Sequence, residues 1–271
     1  IGIVDVKDLL TAGESRLIEE IMDENVVSAK TLDDQETVAK MIRKYGLVAI
    51  PVIDYENCLV GIVTVDDAMF VLQDEVTEDI QIMAGVSPNE ESYFGTSVLQ
   101  HAKNRIFWLL FLMLSATVSG LLLAHYEDAM AVMPVLTTFI PMLMGVGGNS
   151  GSQSSTLIIR GLAVGEVEMK DVLRVVFKEV RIGLVVGILL AVVNGVRVWL
   201  MYGHNLMLCL ALGITIIAIV CIAKSIGCTL PLIAKRLGMD PAIMAAPLIS
   251  TILDTCSLLV YFRVVTLFFH L

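Results

Sequence analysis

The sequence predicts an α-helical membrane protein with five spans, preceded by a small cytosolic α/β domain and a linking helix. Three observations carry this. Hydrophobic residues make up 56% of the chain and charged residues 17%, with a mean hydropathy of +0.82, which is far from the balance of a soluble domain. Charge is divided along the chain, net −14 over residues 1–100 and net +4 over residues 101–271. From Arg105 onward, apolar runs approach or exceed the roughly 20 residues that cross a bilayer as a helix. An ordinary soluble enzyme is thereby excluded. Nucleic acid is a poor partner too, because the acidic half repels phosphate. Five cysteines (Cys58, Cys209, Cys221, Cys228, Cys256) show no CxxC spacing, so neither a disulfide scaffold nor a zinc ribbon is expected.

The acidic half alternates short helix and strand patterns. Glu36 to Lys44 has helical spacing of Val38, Met41 and Ile42, and Val48 to Ile53 reads as a buried strand reached through Gly46. After the turn Asp54-Tyr55-Glu56-Asn57, Leu59 to Val65 reads as a second strand, and Asp66-Asp67 caps a helix expected to end near Leu72. This strand, strand, helix unit, over residues 21–72, resembles the CBS domain, a regulatory module usually present in pairs. The run Ile1 to Leu10 resembles the last strand and helix of a preceding copy, placing the end of that copy in residues 1–20. Residues 73–104 are expected to form a plug-type linking helix, and residues 105–271 the membrane domain.

The five spans are read at about 106–124, 132–158, 182–201, 206–232 and 242–268. Flanking charge orients them. With a cytoplasmic N-terminal domain, Lys103, Arg105, Arg160, Lys170, Arg174, Lys178, Arg181, Lys235 and Arg236 all fall inside, and the outer loops carry no Lys or Arg. The C-terminus then lies outside, in a multi-pass protein of the cell (inner) membrane. Arg197, Lys224 and Arg263 lie within spans. Spans two, four and five contain Pro134, Pro141, Pro231, Pro247 and the run Gly145 to Gln153. Irregular backbone at membrane depth is tolerated only where it is buried in protein or lines water, which favours a conduit.

Asp254 lies inside span five among apolar neighbours, and an intramembrane carboxylate is expensive. It marks an ion pathway or relay, or else a structural pair with Lys224 or Arg263. It follows Asp240 by 14 residues, about 21 Å on a straight helix, the depth of a midplane site. Asn149 and Gln153 add oxygen ligands of the kind a hard divalent cation takes. The glycines beside them suit either close backbone approach or tight helix packing.

Two long runs, PMLMGVGGNSGSQSSTLIIRGLA (Pro141 to Ala163) and GMDPAIMAAPLISTILDTCSLLVYF (Gly238 to Phe262), closely resemble the MgtE family of magnesium channels. The order CBS region, linking helix, five spans agrees with that family. The resemblance implies a homodimer with its pore on the two-fold axis. There the two Asp254 carboxylates and the Ser250 carbonyls hold Mg2+, with Asn149 near the pore. It also implies gating by cytosolic Mg2+ at Asp67, Glu75, Glu78, Asp79 and Glu36, which otherwise read as a solvated acidic face. Gly46 and Phe70 stand where that family has acidic residues. Gly61, Thr64 and Asp67 resemble a nucleotide-ribose pattern, so ATP at Thr64 and Asp67 is a further expectation, although the same residues make an ordinary helix cap.

Rival functions are a secondary transporter of magnesium, manganese or cobalt and a sensor that conducts nothing. No inverted repeat supports the first. An intramembrane metalloprotease would need H-E-x-x-H, and His101, His125, His204 and His270 are scattered.

Overall fold

A computed structural model describes residues 2–89 and 91–270. Ile1, Glu90 and Leu271, and with them the first residue of the expected earlier CBS copy and the last of the chain, lie outside those residues. The chain divides into two compact units, Ile1–Thr77 and Glu78–Leu271.

In the first unit, Ile3 bridges Asp23 in antiparallel fashion, and helix α1 (Val6–Thr11) is capped by the Asp5 carboxylate on the Lys7 amide. Strand β1 (Ala29–Lys30) pairs in parallel with β2 (Ala49–Ile53), which pairs antiparallel with β3 (Leu59–Thr64). Helix α2 (Gln35–Tyr45) turns Val38, Ala39 and Ile42 onto Ala29, Ile50 and Ala68, and these six make the core. Gly46 ends α2 at φ 63°, a left-handed cap that suits glycine far better than an acidic residue. Helix α3 (Val65–Met83) follows β3 without a loop. It does not stop near Leu72, because no helix breaker intervenes before Gly85, where φ is 70°.

The second unit holds α4 (Val98–His125), α5 (Glu127–Val132), a 3-10 segment Pro134–Phe139, α6 (Ile140–Val164), α7 (Val172–Met201), α8 (Leu206–Arg236), a 3-10 turn Pro241–Met244 and α9 (Ala246–Phe269). The segment before α4 is not one linking helix. It is the end of α3, a loop and the first turns of α4, with Gln81 accepting from the Asn89 amide at 2.7 Å and Asn89 donating to the Thr96 hydroxyl at 2.8 Å.

Among the described residues, four helices are long and apolar enough to cross a membrane: α4, Met169–Met201, α8 and α9. Helix α6, the remaining expected span, has 25 residues, and its glycines and serines lower its apolar character. Twelve of those residues are buried, so it is an inner helix of its unit.

The irregular backbone expected in spans two and five is confined to their starts, at Met133 with the 3-10 segment Pro134–Phe139 and at the 3-10 turn Pro241–Met244 with extended Ala245. Helix α6 continues through Gly145 to Gln153, α8 runs through Pro231, and Pro247 occupies the first turn of α9, where a missing N–H costs nothing. Gly147, Gly148 and Gly151 serve close packing instead. A second cluster, built on Phe139, Leu143, Leu212, Ile216, Tyr261 and Phe262, joins α6, α8 and α9, with the Tyr261 hydroxyl donating to the Leu136 carbonyl at 2.8 Å.

Candidate ion-translocation site

Helix α6 meets α9 through residues without side-chain bulk. Gly147 lies against Ser257 and Ile219, and Gly151 against Leu253, Ile249 and the Ala223 carbonyl. A Cβ placed on Gly148 would stand 3.3 Å from Ser250 Oγ and 3.4 Å from its Cβ. The Ser155 hydroxyl donates to the Met244 carbonyl at 2.6 Å, which ties α6 to the turn that precedes α9.

Spacing on α9 places Ser250, Asp254 and Ser257 on one face, and the two serines touch glycines of α6. Asp254 is partly buried and lies at the edge of the face that meets α6, next to Ser250 and Leu253. It does not lie 14 helical residues from Asp240. Asp240 caps a 3-10 turn, and Asp254 is eight residues past the first residue of α9, about 12 Å along its axis.

Asn149 and Gln153 are exposed on α6, in a stripe with Gly145 and Thr156 at helical spacing. A polar stripe on a membrane-length helix is out of place against lipid and belongs next to water or protein.

Lys224 has a partner other than Asp254. It lies 3.8 Å from Glu179 of α7, with Ser154 of α6 between them, donating to Glu179 at 2.5 Å and accepting from Lys224 at 3.2 Å. Arg263 is exposed. The pairing of Asp254 with Lys224 weighed above is therefore not formed. Glu179 escapes sequence reading because Lys178 and Arg181 flank it, so that stretch reads as a cytoplasmic rim. The overlooked signal is that the apolar pattern on either side of it is helical and continuous.

Glu36 and Asp67, of the first unit, are engaged locally. Glu36 pairs with Lys40 at 2.5 Å, one helical turn away. Asp67 Oδ2 accepts from the Thr64 hydroxyl at 2.6 Å and the Thr64 amide at 3.2 Å, and the Asp67 amide returns to Thr64 Oγ at 3.5 Å, a capping box at the start of α3. Those two bonds from Thr64 hold the Asp67 carboxyl below its usual range. Glu75 is half-buried on α3, and Glu78 (exposed) and Asp79 (half-buried) follow on the same helix beyond the division between units. Among the described residues, no three Asp, Glu, His or Cys side chains converge to hold a metal. Beside Asp67, a cleft of about 330 Å³ is lined by Lys30, Thr31, Asp33 and Gln35.

Residues 140–264 match the family model described as MgtE, divalent cation transporter, and residues 18–74 match the CBS domain model. The magnesium transporter MgtE of Thermus thermophilus is 38% identical over 98% of this chain and 59% of its own length. That of Bacillus subtilis is 35% identical over 100% of this chain and 59% of its own. A crystal structure of the soluble part of a magnesium transporter is 46% identical over 27% of this chain and 29% of that one, with a TM-score of 0.27. The chain thus spans about three-fifths of the curated relatives it matches.

Proposed function

We propose, from the match of residues 140–264 to the model of the MgtE divalent cation transporters and of residues 18–74 to the CBS domain model, that the protein is a magnesium-selective channel gated by cytosolic Mg2+. The family is one of transporters, so no residue is given a catalytic role. The observation that carries the reading is Asp254 on the face of α9 whose neighbouring serines meet the glycines of α6, with the polar stripe of Asn149 and Gln153 on α6 itself.

In this reading Mg2+ is held by Asp254 and by the Ser250 carbonyl one turn earlier, with Asn149 nearby. Magnesium keeps several of its waters and takes only one or two carboxylates, so one Asp254 from each of two copies suffices. A homodimer supplies that pair and gives the polar stripe of α6 something other than lipid to face. The N-terminal domain lies in the cytoplasm, the C-terminus outside, and the protein in the cell membrane.

Gating follows from charge. Residues 1–100 carry net −14, and Mg2+ bound by Asp67, Glu75, Glu78, Asp79 and Glu36 neutralises part of it when the cytoplasm is replete. The cleft beside Thr64 and Asp67 offers one cation, Lys30, against two carboxylates, Asp33 and Asp67. It fits a ribose better than the phosphates of ATP, so gating is assigned to magnesium alone.

The test is magnesium uptake in a transport-deficient host. Asp254→Ala should abolish uptake while the protein still accumulates in the membrane. Uptake at the native level would refute the site. The second reading, a carrier of magnesium, manganese or cobalt driven by another ion, would show flux that follows a second gradient.

A further inference from the structure

Glu179, Ser154 and Lys224 form a cluster in the membrane unit that the ion site does not use. The two charged residues are 7% and 5% exposed and Ser154 is fully buried. They join three helices: Glu179 on α7, Ser154 on α6 and Lys224 on α8.

Burial of two charges is costly, and a buried ion pair is commonly matched or bettered by apolar residues of similar volume when stability alone is counted. Its best-attested use is to fix register. Register is weakly specified at this level of the α6, α7 and α8 contact, where small residues meet. Each member of the cluster lies one turn from a glycine of its own helix at a close helix contact. Gly183, four residues after Glu179, lies 3.2 Å by its would-be Cβ from the Cys221 Cα of α8. Gly151, three before Ser154, and Gly227, three after Lys224, bring the α6 and α8 backbones together. Glycine faces allow close approach but present no knobs, so they resist sliding and rotation poorly. A directional, charge-assisted contact at the same level supplies the missing constraint.

We propose that the Glu179–Ser154–Lys224 cluster is a register pin that positions α6, and through it the Ser250–Asp254 turn of α9, for divalent-cation selectivity. The path is short. Gly151, one turn from Ser154, also packs on Ile249, just before that turn, and on Leu253 within it, and Gly148 packs on Ser250. A slip of α6 moves the surface against which Ser250 and Asp254 are set. These three are positioning residues. The inference rests on the reading of Asp254 and Ser250 as the ion site.

The experiment compares the whole chain in proteoliposomes with Glu179→Gln/Lys224→Met, which removes both charges together and leaves neither unpaired. Asp254→Ala runs beside it. Mg2+ and Ca2+ fluxes are read at matched amounts of folded protein. The pin predicts a double variant that accumulates normally, with the half-saturating Mg2+ concentration raised about tenfold and the preference for Mg2+ over Ca2+ reduced by a similar factor, as when a partner that orients metal ligands is lost. Native half-saturation and native preference would overturn it and leave the pair a packing feature. If the double variant does not accumulate, Ser154→Ala decides by the same two readings, because it removes only the bridging hydroxyl. Native flux from Asp254→Ala overturns the ion site and the pin with it. Flux lost in Asp254→Ala but native selectivity in the pair variant overturns the pin alone.

Discussion

The two units differ in how far their polar side chains reach. In the acidic unit, carboxylates bond to their own neighbourhood: Asp5 to the Lys7 amide, Asp23 to that of Asn25, Asp33 to that of Lys30, Asp54 to those of Glu56 and Cys58. In the membrane unit many hydroxyls also bond locally, as Thr215 to the Ala211 carbonyl and Ser225 to that of Cys221, but others reach across the fold, Ser119 to Thr255, Ser154 to Glu179, Ser155 to the Met244 carbonyl and Tyr261 to that of Leu136. Water accounts for the difference. A carboxylate at a wet surface is satisfied by solvent and a nearby amide, whereas a polar group between apolar helices depends on protein, and the buried Asn194 amide of α7 is an exception with no partner among the described residues. Density of charge is therefore a poor guide to where chemistry is organised. Residues 1–100 hold 20 carboxylates, yet among the described residues no three converge on a metal position.

The contrast breaks most visibly at glycine. A Cβ on Gly227 would collide with the backbone carbonyl of Gly151, while one on Gly61 of β3 meets nothing within 4 Å. Gly227→Ala should cost at least about 3 kcal/mol, since backbone cannot rotate aside, and Gly61→Ala within about 0.5 kcal/mol. Thermal melting of the detergent-purified chain measures both. Equal effects would remove the distinction between the units.

Next in size is Asp254→Asn, which keeps shape and removes charge. A carboxylate and a divalent ion 4 Å apart attract by about 2 to 8 kcal/mol between bulk water and a protein surface, so magnesium flux in vesicles should fall about tenfold or more. A smaller effect is expected from neutralising Asp67, Glu75, Glu78 and Asp79 together. Flux at low internal Mg2+ should be native, and inhibition at high internal Mg2+ should be lost. Closure of the variant at all concentrations would instead mean that repulsion alone holds the channel open.

The smallest effect concerns pH. Thr64 holds the Asp67 carboxyl below its usual range, so the capping box contributes stability above the ordinary carboxylate range. That contribution is lost as pH falls through the depressed value of the folded state. Thr64→Ala should move acid opening of the α3 start to higher pH, read by hydrogen exchange in residues 59–72. A shift to lower pH would contradict the sign.

Much of this was legible in the sequence. Strands β2 and β3, helix α2 and four apolar spans lie where periodicity places them, because burial against lipid or a small core leaves a plain pattern. The run Gly145 to Gln153 was not, since propensity argues against helix there and only packing against Ser250, Leu253 and Gly227 restores it. Glu179 was hidden for a related reason. Its burial depends on Lys224, which follows it by 45 residues. Asp254 announced itself by solitude among apolar residues, and the cap in front of α9 that sets its depth was visible in Asp240-Pro241 but easily read as part of the helix.

The central claim is that ions pass at Asp254 through a membrane unit whose polar contacts are built for it. Single-channel recording in planar bilayers, with Mg2+ as the sole permeant cation and its cytoplasmic concentration varied, tests this most directly. The account predicts unitary currents from the native chain that close as cytoplasmic Mg2+ rises, and none from Asp254→Ala. Unitary currents of native size from Asp254→Ala, or saturable flux without unitary currents from the native chain, would contradict it.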